Sequence, residues 1–324
     1  MKIAVTGASG HVGTNLCRML IEKGYHVKVL VHRDVKGLAG LPIETIKGDI
    51  RNTEDLVSLC TDCEVVFNLA ACISIHKNDK KCDSLNIESC RNLIEAARQT
   101  GVKRIIHFSS IHAFIQEPFD SELNETRPLA LDSTTAYEHS KAQSQQMMKD
   151  ASLHGPEIVI LNPTSIIGPN DFKPSLVGSA LIRFYKGQNP CLIPGGYDWV
   201  DVRDVCKAAI NAISKGSPGE CYLLSGSWRD LRTMAGEIEK LGGHKAPSIR
   251  LPMWIAFFGA FFLNLHARLR RTVPLYTSVS LLTLKNSHRN ISCQKAKSVL
   301  DYDPRSFEET IHDTIKWFNE NKYI

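Results

Sequence analysis

The chain has 324 residues, of which 43% are hydrophobic and 23% charged, ordinary globular values that exclude a disordered chain. That length accommodates one large α/β domain with a smaller second lobe. The net charge is only +5 and the basic residues are scattered, which argues against nucleic acid as a partner, although a shallow positive potential still suits a small anion.

The first residues, Met1-Lys2-Ile3-Ala4-Val5-Thr6, run straight into glycines. They lack the roughly 7–15-residue apolar core of a signal peptide, so a cytoplasmic location and reduced cysteines are expected. Cys60 and Cys63 form one CxxC, but no second pair or histidine at ligand spacing follows. No metal is expected, and the cysteines read as buried structural residues.

The first half alternates strand and helix patterns. Ile3–Val5 is a short apolar run, and residues 12–23 have helical spacing that ends at Gly24. Strands are predicted over 27–31, 65–69, 105–109 and 158–161, with a further candidate before Asp49. Helices are predicted over 53–59, 86–100 and 137–152. Apolar runs rather than strict alternation mean a parallel sheet covered on both faces, a doubly wound α/β fold. After Pro163 the regularity falls away and Pro and Gly become denser, so residues 1–165 read as the core. Residues 166–324 read mainly as a substrate lobe of irregular segments and helices, with some segments returning to the core.

Residues 251–265 are uncharged and carry Trp254, Phe257, Phe258, Phe261 and Phe262. The run is shorter than the roughly 20 residues of a membrane span, and Pro252 and Asn264 interrupt it. A helix walling the substrate pocket is expected. Peripheral membrane contact, since His266, Arg268, Arg270 and Arg271 follow directly, and a dimer contact are the alternatives.

Gly7-Ala8-Ser9-Gly10-His11-Val12-Gly13 spells GxxGxxG between a predicted strand and a predicted helix. In that context the glycines permit a tight turn, close approach of a pyrophosphate and close helix–strand packing, and the helix N-terminus offers free N–H groups. Asp49 follows the third candidate strand, where its carboxylate suits an adenine amine; a helix cap is the other reading.

Tyr137 and Lys141 stand at i and i+4, on one face of a predicted helix. A nearby ammonium lowers a phenol's pKa from its usual value of about 10, fitting it to exchange a proton with a substrate oxygen while hydride moves. Taken alone, YxxxK also suits an ordinary amphipathic helix. Ser109 and Ser110 end a strand, where hydroxyls face the crevice in which open α/β sheets bind ligands. No nucleophile elbow surrounds them, which argues against hydrolase chemistry.

These motifs, with Asn68-Leu69-Ala70-Ala71, Asn86 opening a helix, and Asn162-Pro163-Thr164, resemble the extended short-chain dehydrogenase/reductase family in order and spacing. Residues 162–169 and 199–204 resemble the branch of dihydroflavonol 4-reductase-like, 3β-hydroxysteroid dehydrogenase-like and NAD-dependent epimerase/dehydratase proteins. The resemblance implies a Rossmann fold. It implies that Gly7, Gly10, His11, Val12 and Gly13 bind the pyrophosphate, and that Asp49 and Ile50 flank the adenine. Leu69, Ala70 and Ala71 would line the dinucleotide, and Pro163 and Thr164 would meet its nicotinamide end. Tyr137 would be the acid/base, Lys141 would tune it and hold the ribose, and Ser110 would orient the substrate oxygen. A homodimer through the helices over 86–100 and 137–152 is also implied.

Two departures bear on substrate. Family dehydratases carry an acidic pair where this chain has Ile111-His112-Ala113-Phe114, and nucleotide-sugar enzymes tend to carry an arginine where it has Tyr197. His112 reads as a substrate contact or as a loop residue without a role. The expected activity is reduction of a carbonyl, or oxidation of the alcohol, on a fairly apolar small molecule. A sugar epimerase with tightly held NAD and a non-catalytic NADP-binding regulator are the alternatives. Val31 stands where NAD enzymes often place an aspartate and Arg33 follows closely, so NADP is the expected cofactor, with NAD as the second choice.

Overall fold

The computed structural model describes residues 1–32, 35–73, 79–260 and 278–324. Seven strands form a parallel sheet in the order β3-β2-β1-β4-β5-β6-β9. They are β1 (Lys2–Thr6), β2 (His26–Val31), β3 (Glu44–Lys47), β4 (Val65–Asn68), β5 (Arg104–Phe108), β6 (Glu157–Pro163) and β9 (Cys221–Leu224). Both faces are buried, and the strand residues divide between them with period two. Ile3, Val5, Phe67, Ile106 and Leu161 enter one core with Leu16 and Leu20 of helix α1 (His11–Glu22) and Val205 and Ala209 of α6 (Val202–Lys215). Ala4, Val66, Ile105 and Ile160 enter the other core. They meet Leu56 and Leu59 of α2 (Thr53–Cys60), Leu93 of α3 (Lys80–Thr100) and Met148 of α4 (Ala136–Ala151).

The strand order reverses between β1 and β4, so their carboxyl ends open a crevice at the switch point. The glycine-rich turn and Leu69–Ala71 stand there. Helix α3 begins at Lys80, six residues before its predicted start, with Asp79 capping the Cys82 N–H. Asn86 therefore lies inside the helix and does not open it. The polar stretch Lys80–Ser84 carries no apolar periodicity to announce it.

The second lobe is more regular than its sequence suggests. A three-stranded sheet runs β10-β8-β7, made of Ser227–Asp230, Gly196–Asp201 and Ser165–Ile167. A separate core joins it to α5 (Leu176–Tyr185), α7 (Leu231–Lys240), α8 (Ser278–Lys285) and α10 (Phe307–Glu320) through Trp199, Phe184, Met234, Leu281 and Phe318. Helix α9 (Gln294–Leu300) instead packs into the first sheet core through Ala296 and Leu300.

Residues 253–260 are helical, and Ala256 and Ala260 pack into the second core while Trp254 and Phe258 face outward. The remainder of the aromatic run, from Phe261, lies outside the described residues. Among those described, no helix is long and apolar enough to cross a membrane, and no cluster of His, Cys, Asp or Glu is placed to hold a metal ion. Cys60 and Cys63 are free and buried, and burial pushes the Cys60 thiol up to about 12, which makes it inert. Cys72 and Cys82, by contrast, are joined in a disulfide, against the expectation of reduced cysteines.

Candidate active site

The glycine turn is built by close backbone approach. Gly7 has φ +68°, and a Cβ there would lie 2.7 Å from the Ala70 nitrogen. A Cβ on Gly13 would lie 2.2 Å from the Gly7 oxygen. Gly10 differs: at φ −77° a Cβ would meet only the Gly7 oxygen, at 3.3 Å. It caps α1 without a side-chain hydrogen bond, and no acidic residue stands in the first turn. The N–H groups of His11, Val12 and Gly13 are thus the open N-terminal donors of a twelve-residue helix. Exposed Gly10 leaves room for an anion to approach them. The His11 ring itself is engaged, with Nε2 3.0 Å from the Pro169 oxygen. Leu69 and Ala70 abut Gly7, and Ala71 is exposed beside them. These residues fit a dinucleotide pyrophosphate.

Asp49 and Ile50 follow β3, and Ile50 packs against the α2–α3 core. The Asp49 carboxylate receives Arg51 Nε at 3.0 Å, and this hydrogen bond pulls its pKa down to about 2. It is therefore an ionised acceptor already committed in part to Arg51. His32 stands 3.7 Å from it. Arg33 lies outside the described residues, and Lys36 donates to the Tyr323 hydroxyl at 3.2 Å.

The residues predicted to be catalytic come together from β5, β6 and α4. Asn162 Nδ2 donates to the Ser110 carbonyl at 2.8 Å and to Gln145 Oε1 at 2.7 Å, which ties the end of β5 to α4. Asn86 Nδ2 donates to Ser140 Oγ at 3.0 Å and to the Cys72 carbonyl at 3.0 Å, tying α4 to the loop after β4. Gln145 and Asn162 were not singled out from sequence as positioning groups. The available signal was the i, i+4, i+8 spacing of Tyr137, Lys141 and Gln145 on one helical face.

Ser110 Oγ accepts from the His112 N–H at 3.2 Å and is hydrogen-bonded to Tyr137. Burial raises the Tyr137 pKa and the Ser110 contact partly offsets this, so the phenol is held in its neutral form. Lys141 does not lower it here. Its Nζ is turned to the Phe108 carbonyl, and burial drops its own pKa to about 8. His112 stands edge-on to Tyr137 with ring centroids 6.1 Å apart, and burial lowers its pKa against the opposing pull of Glu138.

Ser110, His112, Tyr137 and Thr164 line a cavity of about 160 Å³, with Tyr197 and Asp198 from β8 and Thr283, Ser287 and His288 from the second lobe. Pro163 is buried at the end of β6, directly before Thr164. None of residues 251–260 lines this cavity; that part of the aromatic segment packs on the second core, and residues 261–265 lie outside the described residues. Among the described lining residues there is no lysine or arginine.

A Rossmann sheet with an open glycine cradle and a serine–tyrosine pair at its carboxyl edge defines a dinucleotide-dependent enzyme. The chain belongs to the NAD dependent epimerase/dehydratase family, whose model matches residues 3–224, and so to the extended short-chain dehydrogenases/reductases. It is 32% identical to sterol demethylase protein B of Methylococcus capsulatus over 100% of both chains. It is 25% identical to the mouse (Mus musculus) sterol-4-alpha-carboxylate 3-dehydrogenase, decarboxylating, over 98% of this chain and 91% of that one. The crystal structure of gox2253 superimposes with a TM-score of 0.85 at 28% identity, covering 100% of this chain and 99% of the other.

Proposed function

We propose that this protein is an NADP(H)-preferring oxidoreductase that interconverts a carbonyl and its alcohol on a largely apolar small molecule of the sterol or ketone type. A bound nicotinamide cofactor supplies the hydride chemistry. The chain's part is the proton. Tyr137, neutral and hydrogen-bonded to Ser110, gives its hydroxyl proton to the carbonyl oxygen in the reductive direction and takes one back in the oxidative direction. Ser110 Oγ holds that oxygen beside the phenol, and Lys141 faces the ribose from the same helix face. Asn162 and Gln145 keep the strand end and the helix in register.

The observation that carries this reading is the convergence of Ser110, Tyr137 and Thr164 on one cavity at the carboxyl edge of the sheet. The missing cation among the described lining residues favours a reductase over a nucleotide-sugar epimerase, because a sugar diphosphate brings charges that a cavity of this kind leaves unpaired. The relatives named for sterol conversion support the same choice. A homodimer through α3 and α4 is part of this reading. The test is a screen of aldehydes, ketones and sterols for oxidation of NADPH and NADH. Absence of turnover across that panel, with tight NAD carried through purification, would instead favour the epimerase.

A further inference from the structure

The cavity has a second polar wall that proton transfer to the carbonyl does not use. Asp198 is 7% exposed, and its Oδ1 is doubly engaged, accepting from Thr164 Oγ1 at 2.7 Å and from the Gly226 N–H at 2.8 Å. Oδ2 makes no hydrogen bond to any described residue, yet it is not one of the polar atoms sealed away from solvent. It opens onto the cavity that Asp198 lines. Ser287 lines the same cavity. Its Oγ accepts from Trp228 Nε1 at 3.2 Å, and its own hydrogen is given to no described residue. Trp228 is the cross-strand partner of Asp198 in the β8–β10 pair, so the residue that holds Ser287 stands on the same rung of the second sheet as Asp198.

A carboxylate oxygen can only accept, and the Ser287 hydroxyl still has a proton to give. On the wall of one cavity, they match a group that both donates and accepts, which is what an alcohol does. A substrate carboxylate or phosphate would instead meet the Asp198 charge, with no lysine or arginine among the described lining residues to offset it. Oδ1 alone accounts for the tie to Thr164 and Gly226, so the open Oδ2 is left for a ligand.

We propose that Asp198 Oδ2 and Ser287 Oγ form a recognition site for a hydroxyl carried by the substrate away from its reacting carbon, so that hydroxylated ketones and diols are preferred over simple or carboxylated ones. This rests on the oxidoreductase reading given above. It is tested with two matched pairs, cyclohexanone against 4-hydroxycyclohexanone and androstan-3-one against 17-hydroxyandrostan-3-one. Each is turned over with NADPH by the wild type, Asp198→Asn and Ser287→Ala. In the wild type kcat/KM favours the hydroxylated member of at least one pair by about ten- to a hundredfold, carried mainly by KM. Both variants compress that ratio, Asp198→Asn towards unity. A wild-type ratio near one for both pairs overturns the proposal, as do variants that slow both members alike and leave the ratio intact. If Asp198→Asn does not fold, the wild-type ratio and Ser287→Ala still decide. No turnover of the four ketones while other aldehydes or ketones of the panel are reduced overturns the hydroxyl site alone; no turnover across the whole panel brings down the oxidoreductase reading, and this inference with it.

Discussion

The ammonium of Lys141 donates a 3.0 Å hydrogen bond to the carbonyl oxygen of Phe108, so the lysine is pinned to the strand that carries Ser110 and is not aimed at the phenol. Burial drops its pKa to about 8 from the ordinary lysine value of 10.5. Between those two pH values the unfolded chain binds more protons than the folded one, so stability rises with pH through that window, and below about pH 8 the folded chain carries the full cost. A shift of this size corresponds to on the order of 3 kcal/mol. Lys141→Met, without cofactor, is therefore expected to raise the melting temperature at pH 7 by several degrees, less what the lost Phe108 bond costs. That gain shrinks as the pH approaches 10.5. The same variant is expected to lose both turnover and cofactor affinity. Melting curves from pH 7 to 10 check the first part; a variant less stable at pH 7 would count against it. Loss of rate alone, with affinity intact, would remove lysine from the ribose.

Tyr137→Phe separates chemistry from binding. In the proposed mechanism the phenol hydroxyl next to Ser110 is the proton donor, and phenylalanine keeps the ring. Turnover is expected to fall by about 10²–10⁴-fold, the typical contribution of a positioned acid/base. NADPH binding, measured by fluorescence titration, is expected to stay nearly unchanged. A kcat near wild type on any established substrate would end the mechanism.

The glycine turn offers a contrast between two alanine substitutions. A Cβ on Gly13 would sit 2.2 Å from the Gly7 oxygen and 2.6 Å from the Ala8 Cα, both backbone atoms that cannot swing aside. Gly13→Ala is expected to cost about 1–3 kcal/mol or more. On Gly10 the nearest atom is 3.3 Å away and φ is ordinary, so Gly10→Ala keeps the fold within about 1 kcal/mol. Its methyl, however, stands on the face left open at the start of α1, and NADPH affinity is expected to drop on the order of tenfold or more. Denaturation and cofactor titration of both variants distinguish the roles. Equal destabilisation of the two would refute the assignment of Gly10 to the pyrophosphate.

Most of the Rossmann half was legible because its strands are apolar runs and its motifs fall at the strand ends, where chemistry has to be. The GxxGxxG turn, the Ser109–Ser110 strand end and Tyr137–Lys141 needed only one-dimensional spacing. The first turn of α3 was not legible, since Lys80–Asp83 are polar and only the cap at Asp79 marks them. The second sheet was missed because two of its strands, Ser165–Ile167 and Ser227–Asp230, are short and mostly half-buried, and Ser227–Asp230 shows no apolar alternation. Thr283, Ser287 and His288 join the cavity through tertiary placement alone, which no local pattern encodes. The aromatic run is divided where its described part ends: Trp254 and Phe258 are 71% and 67% exposed, while Ala256 and Ala260 turn into the second core.

Asp198 gives a second pH signature of opposite sign. Burial raises its pKa to about 6 from 3.8, partly offset by the hydrogen bonds from Thr164 and the Gly226 N–H. Between those values the folded chain binds more protons than the unfolded one, so stability falls as pH rises through the window and the full cost stands above about pH 6. Asparagine keeps an Oδ1 acceptor for Thr164 and Gly226 without the charge. Asp198→Asn is therefore expected to be more stable than wild type at pH 7, by on the order of 3 kcal/mol at most, with the gap closing towards pH 4. Urea midpoints at the two pH values measure it. A gap that does not depend on pH would mean that the carboxylate carries no buried-charge cost.

Cofactor choice is the remaining expectation, and it turns on the end of β2. NAD sites of this fold commonly place an acidic residue there, roughly 20 residues beyond the glycines, to accept from the ribose 2′-hydroxyl. Here β2 ends at Val31, which offers no acceptor. His32 follows, more than half exposed and 3.7 Å from Asp49, and Arg33 comes next in the chain, outside the described residues. A guanidinium at this point suits a 2′-phosphate, which takes paired charge-assisted hydrogen bonds, far better than it suits a hydroxyl. Asp34 is the competing group: turned inward, it would serve NAD. A hydrogen bond to a charged group contributes roughly 1.5–3 kcal/mol, so Arg33→Ala is expected to weaken NADPH binding by about ten- to a hundredfold and to leave NADH almost unchanged. Titrating both cofactors into wild type and variant decides between the two. Equal affinities in the wild type, or the same loss for both cofactors in the variant, would show that Arg33 does not read the phosphate.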